Sequence, residues 1–172
     1  MKTQLLLVAL LAATPLLRSP STPAPFQSPT EVRDELAAVG AQWDAARTSF
    51  DVAAFERMLA PDFWVQIGSE KIPRAQFIDM ISKSRPEARL ARFESRILTL
   101  TREKDVWAAV VLEKLEAEVK GADGKTGKNY SLWVTRDRFR KDAQGWTCLS
   151  SEALGSESWS GGQVPPFDDW SS

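Results

Sequence analysis

Apolar residues recur along this chain in two distinct rhythms. From Val32 the apolar positions are Leu36, Val39, Trp43 and Ala46, at steps of three and four, which predicts an amphipathic helix. Ser28-Pro29-Thr30-Glu31 ahead of it has the form of a capping box: a serine cap, proline at the first helical position and Glu31 three residues after the cap. Asp51 predicts the cap of a second, shorter helix carrying Val52, Phe55, Met58 and Leu59 and stopped by Pro61. Phe63 to Ile67 reads as a short strand, and Pro73 opens a third helix with Phe77, Ile78 and Ile81 on one side.

Beyond Pro86 the rhythm shortens to two. Phe93–Arg102, Val106–Val119, Asn129–Lys141 and Trp146–Ala153 are rich in strand formers. They are separated by Lys104-Asp105, by Gly121–Lys128 and by Asp142–Gly145, each with turn chemistry. Helices first and a meander afterwards predict an α+β fold, with N-terminal helices packed on a strongly curved antiparallel sheet that forms a cone-shaped pocket. After Gly155, the serine- and glycine-rich run and Pro165-Pro166 read as a flexible C-terminal tail, residues 155–172.

The first residues follow neither rhythm. Lys2 precedes an uncharged apolar run from Leu5 to Ala13, too short for an ordinary membrane span and flanked as a secretory signal is. The expected organisation is a signal peptide over 1–21, a Pro/Ser-rich linker over 22–29 and one domain over 30–154. The protein is thus expected outside the cytoplasm, periplasmic or extracellular, with no membrane attachment once the signal is removed.

Composition narrows the chemistry. Removal of Lys2 and Arg18 leaves 20 basic against 23 acidic residues, a net charge of −3, which is no footprint for nucleic acid. The chain has no histidine, which excludes the usual general base and the Ser-His-Asp arrangement. Cys148 is the only cysteine, which excludes an intrachain disulfide, a cysteine-based zinc site and a Cys-His nucleophile. No cofactor and no metal is implied; Asp168-Asp169 are two adjacent acids and not a site. Gly124-Lys125-Thr126 lacks the glycine of a phosphate loop five residues earlier, where Val119 stands, and reads as a hairpin turn.

Trp43-Asp44-Ala45-Ala46, Asp51 with Leu59-Ala60-Pro61-Asp62-Phe63, and the final hairpin Val134–Ser151 with Gly145-Trp146 at its turn resemble the nuclear transport factor 2-like superfamily, in particular its SnoaL-like bacterial branch. The resemblance covers roughly residues 30–153. It implies a pocketed α+β domain whose relatives include ketosteroid isomerase-like enzymes, dehydratases, polyketide cyclases and binding or assembly domains, so it carries no reaction by itself. Similar domains often have a histidine six residues after the hairpin tryptophan; here that position is Glu152, and chemistry relying on an imidazole does not carry over.

The pocket face is predicted from strand register. Phe139 opposite Trp146 would pair Asp137 with Cys148, Thr135 with Ser150 and Trp133 with Glu152, and would add Leu112, Val110, Ala108 and Val106 to the same face. On this reading Asp137 and Glu152 are the candidate acid–base residues, in surroundings that raise a carboxyl pKa. Trp43, Trp64, Trp133, Thr135 and Ser150 are the candidate ligand contacts. Asp44 turns away from the Trp43 stripe and reads as a solvated charge. Tyr130 reads as packing, and Cys148 as an inert core thiol. The opposite face, with Trp107, Val111, Leu132 and Val134, is the expected homodimer surface. Three readings follow: a domain binding a small, partly apolar molecule; an isomerase, dehydratase or cyclase working with a carboxylate base; or a dimeric assembly or partner-binding domain.

Overall fold

A computed structural model describes residues 27–84, 88–120 and 124–160 of the 172-residue chain. The proposed signal peptide, most of the linker and the segment with Asp168-Asp169 lie outside the described residues. Helix α1 (Pro29–Ser49) is followed by α2 (Val52–Met58), β1 (Leu59–Ile67), β2 (Glu70–Pro73) and α3 (Arg74–Ser84). Four long strands complete the domain: β3 (Ala88–Glu103), β4 (Val106–Lys120), β5 (Thr126–Asp142) and β6 (Gly145–Trp159). The strands form one sheet in the order β2-β1-β6-β5-β4-β3. It is antiparallel except where β1 joins β6 in parallel.

Local chemistry sets the helix ends. The Ser28 Oγ accepts from the Glu31 amide while Glu31 accepts from the Ser28 amide at 2.8 Å, the reciprocal bonds of the capping box. Asp51 caps α2 by accepting from the Ala54 amide at 3.0 Å. The stripe of α1 faces inward: Val32, Leu36 and Ala46 are buried, with Val39 and Trp43 packed against the same core. Trp43 meets Phe55 edge-on, ring centroids 4.9 Å apart, and stacks on Phe77 at 6.3 Å, so one indole ties α1 to both α2 and α3. Strand β6 continues to Trp159, whose partner is Tyr130, so residues 155–159 belong to the sheet and not to a tail.

Extra residues curve the sheet. The β3–β4 pairing steps over Leu98, and the β5–β6 pairing steps over Leu149 and Leu154. Each extra residue bends its strand and increases its twist, and together they fold the long strands around α1. Leu98 and Leu154 are among the few large apolar side chains left exposed, at 41% and 44%, as expected of residues pushed out of a ladder.

These extra residues also correct the predicted register. The final hairpin closes at Asp142 opposite Gly145, a two-residue loop in place of the predicted four; Gly145, at φ 123°, takes the backbone shape this turn needs. Phe139 therefore faces Cys148, not Trp146. A shift of two leaves every side chain on its own face, but stepping over Leu149 then exchanges the faces of β6. Asp137 lies opposite Ser151, Thr135 opposite Ala153 and Trp133 opposite Ser156. On β4 the predicted register is off by one: Trp133 faces Glu113, Thr135 faces Val111 and Asp137 faces Ala109. The concave face of β4 therefore carries Trp107, Ala109, Val111, Glu113 and Leu115, and the convex face carries Val106, Ala108, Val110 and Leu112.

Candidate functional site

Helix α1 lies across β3 and leaves a cavity of about 320 Å³ against the concave face of the sheet. Two polar fastenings hold the helix there. Arg33 Nη1 donates to the Ile97 carbonyl at 2.8 Å, beside the Leu98 bulge. Asp44 Oδ2 accepts from both the Ser95 amide and the Ser95 hydroxyl at 3.0 Å. Between them Gly40 runs so close to β3 that a Cβ there would stand 3.2 Å from Ser95 Oγ. Asp44 is thus a half-buried clamp and not the solvated charge expected, and burial raises its pKa against the pull of the two Ser95 bonds.

The cavity walls are mostly hydrocarbon, with Leu36, Val39, Ile97, Val111 and Phe139 among them, and three carboxyl residues line it: Glu113 and Asp137 inside and the exposed Asp34 at the mouth. A second, smaller chamber of about 110 Å³ continues toward Thr135, Trp133 and Ser151. Trp43 and Glu113 line both chambers and form the partition between them.

Two acids in one apolar cavity cannot both ionise cheaply. Burial, and next the negative charge of Asp137, push Glu113 up to about 8, while the Arg47 guanidinium pulls in the other direction. Burial raises Asp137 to about 6, with the Ser151 and Thr135 hydroxyls holding it lower than burial alone would. Near neutral pH the cavity therefore presents one protonated carboxyl and one carboxylate, a donor and an acceptor. Asp137 is 9% exposed and Thr135 6%, yet Asp137 Oδ1 and Thr135 Oγ1 have no hydrogen-bond partner of good geometry. Arg47 is also strongly desolvated, which lowers its pKa; its guanidinium lies 5.3 Å from the Phe93 ring centroid, and its Nε has no partner. Cys148 lines the cavity floor with its thiol pKa raised by burial and then by Asp137, and it donates only to the Ser150 carbonyl at 3.6 Å. Among the described residues no three His, Cys, Asp or Glu side chains converge as a metal site.

The structure brings together Trp43, Trp133, Thr135 and Asp137 of the residues singled out from sequence. It separates Trp64, Ser150 and Glu152 from them. Because β6 changes face at Leu149, Ser150 and Glu152 stand on the convex side, paired with Arg138 and Arg136. Glu152 forms an ion pair with Arg136 at 3.5 Å, which removes it from the predicted acid–base role in the cavity. Trp64 pairs with Ser150 on that same side and carries Lys71 over its ring at 4.0 Å. Tyr130 is buried at the far end of β5 and lines neither chamber. The predicted dimer surface is split as well: Trp107 and Val111 are concave, Leu132 and Val134 convex.

Glu113 is the residue that sequence reasoning missed, and a signal for it exists. Trp107, Ala109, Val111, Leu115, Ala117 and Val119 alternate along β4 as an unbroken apolar set except for Glu113, whereas the other parity carries Lys114, Glu116, Glu118 and Lys120. One charge in an otherwise apolar parity marks a buried acid on the core side.

Helices laid across a curved, unclosed six-stranded sheet define the nuclear transport factor 2-like fold, and comparison with solved structures agrees. A conserved protein from Planctomyces limnophilus superposes with a TM-score of 0.59 at 14% identity, over 69% of this chain and 93% of that one. An NTF2-like protein with a cystatin-like fold from Novosphingobium aromaticivorans gives 0.52 at 20% identity, over 72% and 81%. An NTF2-like protein from Cytophaga hutchinsonii gives 0.52 at 13%, over 74% and 98%. No protein-family model and no curated protein sequence matches the chain. The likeness is one of fold, and it does not single out the SnoaL-like branch.

Proposed function

We propose that this is an exported domain that binds a small, partly apolar molecule between α1 and the concave sheet, with the polar end of that molecule toward Glu113 and Asp137. The observation that carries the reading is the pair of carboxyl groups, Glu113 and Asp137, kept in a hydrocarbon-walled cavity. Burying two carboxyl groups costs stability, and a ligand that hydrogen-bonds to them recovers part of that cost. Native mass spectrometry of the protein purified from its host compartment tests this. A bound mass is expected on the wild type and is expected to vanish from Val111→Trp, which fills the chamber. Wild type and filled variant carrying the same load, or none, would contradict the reading. The same preparation gives the N-terminus, expected between Ser19 and Pro29.

A second reading is acid–base catalysis, favoured by the split ionisation of the two carboxyls. Asp137 would take a proton and Glu113 would donate one to a developing negative charge. Asp137→Asn and Glu113→Gln would then remove turnover while leaving binding largely intact. A third element, a homodimer, is now proposed through the convex side, where Val110, Leu112, Leu132 and Val134 form the apolar strip.

A further inference from the structure

We propose that the molecule taken by the cavity is an organic cation: a protonated amine on an apolar body, with its charged nitrogen in the chamber that Glu113 and Asp137 share. This rests on the cavity reading above and adds the charge of the occupant. Charged and titratable groups reach this interior from each packed element. Helix α1 supplies Asp44 and Arg47, β4 supplies Glu113, β5 supplies Asp137 and β6 supplies only the neutral Cys148 thiol. Strand β3 turns Ser95 inward, with Arg96 at the lip. Arg33 and Asp34 at the mouth offset each other, and Arg33 is engaged with the Ile97 carbonyl.

Glu113 and Asp137 are the carboxyl groups deep in the cavity, Arg33, Asp34 and Arg96 line its mouth, and Arg47 stands behind the partition in the second chamber. The Arg47 guanidinium pulls on Glu113, whereas Asp137 lines the chamber with only the Ser151 and Thr135 hydroxyls acting on its carboxyl. An anionic ligand would meet repulsion from the Asp137 carboxylate, and a neutral one would leave that carboxylate without a countercharge. An ammonium group supplies both the missing charge and three donors for buried acceptors. Trp43 lines the partition, and Leu36, Val39, Ile97, Val111 and Phe139 accommodate the hydrocarbon.

The proposal has a proton signature. Without ligand, Glu113 stays protonated up to about 8. A cation beside it favours the carboxylate, so binding expels a proton, and linkage requires affinity to rise with pH while that proton is still present to be expelled. Affinity should climb through pH 6–8, by at most about tenfold per unit for one proton released, and level off above pH 8.

Isothermal titration of the whole domain with phenethylamine, its neutral analogue phenethyl alcohol and its anionic analogue phenylacetate tests this. At pH 8 the amine is expected to bind about tenfold more tightly than the alcohol, and phenylacetate not at all. Buffers of different ionisation enthalpy should report proton release at pH 7 with the amine only. Glu113→Gln should flatten the pH slope while retaining alcohol binding, and Asp137→Asn should lower amine affinity toward that of the alcohol; far-UV circular dichroism checks that both fold. Alcohol binding as tightly as amine, with the tryptophan fluorescence responding to both, would overturn the cation and leave the cavity reading standing. No saturable binding of any probe at millimolar concentration, with the tryptophan fluorescence unmoved, would overturn both.

Discussion

Glu113→Gln replaces a buried carboxyl by an amide of nearly the same shape, so its effect on stability should depend on pH rather than on packing. In the folded chain Glu113 ionises at about 8, against an ordinary value of 4.5. The sign follows from proton counts. Between those two values the folded state keeps a proton that the unfolded chain has released, so wild-type stability falls as pH rises through this window. Each unit of pH inside it costs about 1.4 kcal/mol. From pH 5 to pH 8 the loss due to Glu113 is therefore on the order of 3 kcal/mol, allowing for partial titration at both ends and for water in the cavity. Glutamine has no proton to lose. Urea unfolding at pH 5, 6, 7 and 8 should show the variant gaining on the wild type by that amount over the series, with unchanged m-values. Asp137 contributes to the wild-type trend with the same sign between its ordinary 3.8 and about 6, but it is present in both proteins. Two parallel curves would mean that Glu113 is solvated, and the reasoning about the cavity would fail with it.

Two further outcomes follow from the same structure. Thr135→Val removes a hydroxyl that holds the Asp137 carboxyl down, so the Asp137 titration should move upward in the variant, and an unmoved titration would show that Thr135 Oγ1 does not act on Asp137. Leu112→Asp on the convex strip should turn a dimer into a monomer in sedimentation experiments while leaving the cavity intact; a wild-type monomer would remove the dimer proposal.

How far the chain could be read without its structure depended on which physical rule governed each part. The capping box at Ser28–Glu31 and the stripe through Trp43 obey local rules, and both helix start and inward face agree with the structure. Strand β5 has no interruption, so its period of two put Trp133, Thr135, Asp137 and Phe139 on one face correctly. Its neighbours could not be aligned to it by local rules. The two-residue turn at Ala143-Gln144 and the extra Leu149 are decided by long-range pairing, and one extra residue is enough to send Ser150 and Glu152 to the convex side. The same one-residue sensitivity on β4 hid Glu113. Asp44 was misread because its partner Ser95 lies 51 residues away, on β3.

Two carboxyls, Glu113 and Asp137, share one apolar cavity and divide a single proton near neutral pH. Carbon-13 NMR of the aspartate and glutamate carboxyls across a pH titration measures this directly. The account predicts one glutamate resonance titrating near pH 8, absent from Glu113→Gln, and one aspartate resonance near pH 6, absent from Asp137→Asn. Glutamate and aspartate resonances that all titrate near pH 4 would contradict it.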